Sequence, residues 1–64
     1  MALFDIDVQL TGEDGNVFNL VGIVSKALER AGEKDAAEAM KTEVFSSGSY
    51  DEALGIMMKY VNVS

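Results

Sequence analysis

The chain contains no cysteine, histidine, proline or tryptophan. Without cysteine there can be no disulfide, and without cysteine or histidine there are no thiolate or imidazole ligands for zinc. The usual general base and thiol nucleophile of enzymes are missing with them. Basic residues are scarce too: 5 Lys and Arg stand against 11 Asp and Glu, a net charge of −6. The first 25 residues hold Asp5, Asp7, Glu13 and Asp14 and no base. Phosphate neutralisation needs clustered Lys and Arg, so direct nucleic-acid binding is not expected. No apolar run reaches the roughly 18 residues of a membrane span. The opening "MALFDIDVQ" lacks the basic start and long apolar core of a signal peptide. A cytoplasmic protein with no cofactor and no membrane contact is the expectation.

What is present reads as one small domain over residues 1–64, with 48% hydrophobic residues. A domain of this size buries only about 60% of the surface its unfolded chain exposes. Disulfides and thiolate or imidazole metal sites are excluded, so self-association is the remaining support, and a homo-oligomer, dimer or larger, is expected.

Residues 3 to 10, "LFDIDVQL", alternate: Phe4, Ile6, Val8 and Leu10 on one face, Asp5, Asp7 and Gln9 on the other. That is the period of a half-buried strand. Residues 17 to 31 follow helical spacing, with Val17, Leu20, Val21, Val24, Ala27, Leu28 and Ala31 in one stripe that Phe18 and Ile23 widen. Asn16 suits its N-cap and Gly32 its C-terminal stop. Residues 34 to 45 form a weaker helix with Ala36, Ala37, Met40 and Val44 inward, and Phe45 reaching back to the core. "SSGS" at 46 to 49 breaks it, and "SYDE" at 49 to 52 is a capping box for a third helix from about Tyr50 to Tyr60. In such a box the Ser49 hydroxyl accepts from the Glu52 amide and the Glu52 carboxylate from the Ser49 amide. Gly22 and Gly55 fall mid-helix, each costing up to about 1 kcal/mol against alanine. A close approach of two helices is the expected compensation. The tail "YVNVS" alternates again and can pair with the first strand, within the chain or across a dimer. The expected fold is α+β, in the order β-α-α-α-β.

"LTGEDGN", residues 10 to 16, is the candidate site loop. Its glycines lie between strand and helix, where converging amides can hold a phosphate. It is neither G-x-G-x-x-G nor a P-loop, and Glu13 and Asp14 oppose an anion. Its oxygen donors do not fall at the positions of an EF-hand. The simplest reading is a turn in which Asp14-Gly15 supplies a positive φ and Asn16 the cap. No Ser, Lys or carboxylate arrangement declares an active site, and no enzymatic activity is expected. Met57 and Met58, adjacent on the third helix, point about 100° apart. One of them, with Tyr60 or Ile56, is expected at an interface, because methionine adapts to varied partners.

"LTGEDGNVFNLVGIVSKALERAG" followed by "SSGSYDEALGIMMKYVNV" resembles a group of very short acidic proteins encoded by phages, prophages and some bacteria. The shared pattern is Leu10, Gly12, Asp14, Gly15, Asn16 and Phe18; Ala31 and Gly32; Ser47, Gly48, Tyr50 and Asp51; and Tyr60, Val61 and Val63. The resemblance covers about residues 10 to 63, leaves out the segment 33 to 46, and implies genomic context only. Small acidic phage proteins often inhibit a host protein, sometimes a nucleic-acid enzyme or a defence component. On that footing the expected function is non-enzymatic binding of a host protein, with Asp5, Asp7, Glu13, Asp14, Met58 and Tyr60 in contact. The alternatives are an oligomeric nucleotide sponge, with Gly15, Asn16, Val17, Phe18 and Tyr50 around the ligand, and a structural virion component.

Overall fold

A computed structural model describes residues 2–64. Two short parallel strands flank three helices: β1 (Asp7–Val8), α1 (Val17–Arg30), α2 (Lys34–Phe45), α3 (Tyr50–Tyr60) and β2 (Asn62–Val63). The order is the expected β-α-α-α-β. Asp7 pairs with Asn62 and Val8 with Val63, so the tail closes on the first strand of its own chain.

Regular strand is shorter than the alternation at 3 to 10 suggests, but the pairing is longer than the strand. The amides of Leu3 and Phe4 donate to the carbonyls of Lys59 and Tyr60 at 2.7 and 3.0 Å. Asn62 and Ser64 donate to Ile6 and Val8 at 2.8 and 3.0 Å, and Leu10 returns to Ser64 at 2.8 Å. The N-terminal segment is therefore laced along the end of α3 and the whole tail. Val8 is buried, Phe4, Ile6 and Leu10 are half-buried, and Asp5, Asp7 and Gln9 face out.

Both ends of α1 and the start of α3 fall where their capping chemistry sits; the start of α2 has no side-chain cap. Asn16 Oδ1 accepts from the Phe18 amide at 2.8 Å. At the far end Gly32 takes φ 81°. Glu33 donates to Leu28 and Gly32 to Glu29 at 2.8 and 3.0 Å, which is the Schellman pattern. The Ser49 hydroxyl accepts from the Glu52 amide at 3.1 Å. The reciprocal bond of the capping box is displaced by one residue: Glu52 Oε1 accepts from the Gly48 amide at 2.7 Å, not from Ser49.

α2 packs on α1 and α3, and the strand pair closes over α1 and α3. Val24, Leu28, Met40, Met57 and Val61 are fully buried, joined by Val8, Leu20, Val21, Ala37, Val44, Ala53 and Tyr60. Two expectations fail here. Phe45 does not reach the core; it is 56% exposed. Gly22 and Gly55 do not mark close helix contacts, because a Cβ at either would meet nothing within 4 Å. Their helix cost is uncompensated inside the chain. Gly22→Ala and Gly55→Ala should each stabilise by about 0.5–1 kcal/mol, read as a shift of the urea midpoint. A loss of stability at either site would reveal a contact that only glycine permits.

Candidate functional site

Three chain segments meet at one end of the helical layer: the loop 10–16 leading into α1, the end of α2, and the start of α3. The loop is internally satisfied. Glu13 donates to the Leu10 carbonyl at 3.1 Å, with Gly12 at φ 88° in the third position of the turn, as a type II turn requires. The positive φ thus falls on Gly12, not on Asp14-Gly15 as the sequence suggested. Asp14 Oδ1 accepts from the Asn16 amide at 3.0 Å, and the Asp14 carbonyl from the Asn19 side chain at 2.8 Å. The amides of residues 16 and 18, which a bound phosphate would use, are taken by the protein's own side chains. The loop is built as a turn and a cap.

A long-range bond anchors this loop. The Tyr50 hydroxyl donates to the Gly15 carbonyl, and a Cβ on Gly15 would lie 3.4 Å from that hydroxyl. Beside it is a groove of about 310 Å³ whose lining includes Val17, Phe45, Gly48, Tyr50 and Ala53. Phe45 stacks on Phe18 with ring centroids 5.6 Å apart and planes at 32°. Phe18, Phe45 and Tyr50 are 69%, 56% and 46% exposed. Such exposure of three neighbouring aromatic rings is unusual for a folded surface, where apolar patches mark contacts.

The residues assigned to a partner from sequence divide into separate places. Asp5 and Asp7 lie on the outer side of the strand pair, where the Asn62 amide group donates to both at 2.9 and 3.1 Å. Glu13 and Asp14 lie at the aromatic end, and Asp14 is engaged in holding the loop. Met58 is 57% exposed but sits about 12 Å along α3 from Tyr50, at 1.5 Å rise per residue. Tyr60 is not a surface residue. It is 7% exposed, and its hydroxyl donates to Glu43 of α2. Burying the ring while its hydroxyl finds a carboxylate removes it from any interface. The ligand residues of the alternative reading converge in part: Val17 and Tyr50 line the groove, Gly15 is bonded to Tyr50 and Phe18 stacks on Phe45, while Asn16 is committed to the cap. Phe45 and the 47–49 turn were missed. Phe45 stands about 100° round α2 from the buried stripe, as Phe18 does on α1, and that offset was the available signal.

Glu43 ties α2 to α3, accepting from Tyr60 and, at 3.1 Å, from Lys59. The Tyr60 bond, then the Lys59 bond, hold its carboxyl below the ordinary range. The same carboxylate, aided by burial, pushes the Tyr60 hydroxyl up to about 12. The Tyr60 contribution is fully present below its ordinary value of 10.0 and fades as pH rises towards about 12. The Glu43 contribution is present above its unfolded value and fades as pH falls through the lowered one. Tyr60→Phe should lower stability at neutral pH and remove this loss between about pH 10 and 12, read by urea unfolding. An unchanged alkaline profile would show that Tyr60 does not carry it.

Among the described residues no helix is long and apolar enough to cross a membrane. Compared with protein-family models, curated proteins and solved structures, the chain matches none.

Proposed function

We propose that the chain is a non-enzymatic accessory protein of phage or prophage origin that binds and inhibits a host protein, a defence or nucleic-acid-processing component. The observation that carries the binding half of this reading is the exposed Phe18–Phe45–Tyr50 cluster beside its groove. Partially buried aromatic rings on a rigid frame are what interfaces use as anchors. The phage half rests on the resemblance alone. The protein works in the host cytoplasm as a homo-oligomer, dimer or larger. Self-association would use the surface at the end of α3, where Leu3 is 71% and Met58 57% exposed, and would leave the aromatic end free.

Affinity capture from a bacterial host lysate tests the reading. The chain and its Phe18→Ser/Phe45→Ser variant are compared by quantitative mass spectrometry. One host protein should be enriched by the first and lost by the second. No enriched protein, or equal enrichment by both, would reject the proposal.

A second reading, a nucleotide sponge, draws on Val17 and Tyr50, which line the groove, with Gly15 bonded to Tyr50. Thermal shifts with cyclic and linear nucleotides test it, since a ligand that binds only the folded chain raises the melting temperature. No shift across the panel removes it.

A further inference from the structure

The charges of the loop 10–16 and of the start of α3, on either side of the aromatic end, are all acidic. Glu13 and Asp14 lie in the loop, and Asp51 and Glu52 in the first turn of α3. No base occurs between residues 2 and 25 or between 42 and 58. The nearest base along the chain is Lys41, one turn before Phe45, and it is ion-paired with Glu38 at 2.8 Å. Lys26, Arg30 and Lys34 sit at the opposite end of the helices, and Lys59 on Glu43 at 3.1 Å. Exposed aromatic rings between an acidic loop and an acidic helix start form a surface of defined complementarity.

From this we infer that the groove receives an apolar side chain of the partner protein that is flanked by lysine or arginine. The inference rests on the host-protein reading above and names the chemistry of that partner. The groove volume of about 310 Å³ is at the small end of binding pockets, suited to one anchor residue rather than a whole ligand. The rings of Phe18 and Phe45 extend the apolar floor beside it, and Tyr50 is fixed by its bond to Gly15. Cationic groups over these rings also gain from the ring quadrupole. A second copy is a poor occupant. A two-fold contact through this end would set four acids of one chain against four of the other, the lysines beside the end of α2 being already paired with Glu38 and Glu43, and like-charge repulsion opposes it. A phosphate-bearing ligand meets the same acids.

Three short synthetic peptides serve as probes: a Leu/Lys peptide, a Leu/Glu peptide of the same pattern, and a Ser/Lys peptide of the same charge. Each is titrated into nitrogen-15-labelled protein and followed by amide shifts. The Leu/Lys peptide should move amides of residues 13–18 and 45–53, and bind at least about tenfold more tightly than the other two, with affinity falling as salt rises. Phe18→Ser/Phe45→Ser should abolish those shifts, and Glu13→Lys/Asp51→Lys should weaken them, with the rest of the spectrum intact. All four positions are exposed, and none belongs to the buried core. Equal binding of the Leu/Glu peptide, shifts centred on Leu3, Asp5, Asp7 and Met58, or no shifts at all would overturn the inference. If the capture experiment meanwhile yields a host protein that depends on Phe18 and Phe45, the reading stands and only the partner's chemistry is wrong.

Discussion

Met57→Ala should lower the unfolding free energy by about 2–5 kcal/mol, while Met58→Ala changes it by less than about 0.5 kcal/mol. The two residues are neighbours of the same type, so propensity and chain entropy cancel in the comparison. What differs is about 100° of helix rotation. Met57 is fully buried, and Met58 is 57% exposed. Removing Met57 leaves a void where α3 packs on α2 and the strand pair. In a chain of 64 residues total stability is roughly 3–10 kcal/mol, so this single change takes a large share of it. Urea unfolding of the two variants checks the difference. Equal effects would mean that α3 is rotated from the placement described.

The second large effect is on binding. Phe18→Ser/Phe45→Ser should reduce affinity for the captured host protein at least about thirtyfold, the equivalent of roughly 2 kcal/mol, as the loss of interface anchors does. Stability should change far less, by about 1 kcal/mol, which is the scale of the aromatic contact itself. Titration calorimetry and thermal melting separate the two quantities. Leu3→Ser is the control: equally exposed and apolar, it should leave the affinity unchanged. A parallel fall in affinity and melting temperature would instead make the rings structural.

Much of the architecture was legible because the chain punctuates itself. Asn16, Gly32 and Ser49 set the helix limits through local bonds that sequence spacing reveals. The alternation from Phe4 to Leu10 marks the half-buried segment, though not that its bonds run to the last turn of α3 and to the tail, more than fifty positions away. Tyr60 shows the limit more sharply. Counting turns from Ala53 and Met57 places it on the buried stripe, yet a tyrosine near a helix end also reads as an interface residue. What decides is Glu43, a hydrogen-bond partner on another helix. The site was half legible. The sequence groups Gly15, Asn16, Val17, Phe18 and Tyr50, of which Asn16 turns out to serve only the helix cap. Phe45 was assigned to the core on hydrophobicity, although its rotation about α2 already turned it outward. Gly22 and Gly55 misled for the opposite reason: a mid-helix glycine suggests a contact, and here the space beside each is open.

The most direct measurement is photo-crosslinking in living host cells, with benzoyl-phenylalanine placed at position 45 in one variant and position 3 in another. The account predicts that position 45 joins the chain to one host protein through a segment carrying Lys or Arg beside an apolar residue. Position 3 should join it to a second copy of itself. A host protein reached only from position 3, or a second copy reached from position 45, would contradict the assignment of the aromatic end as the docking surface.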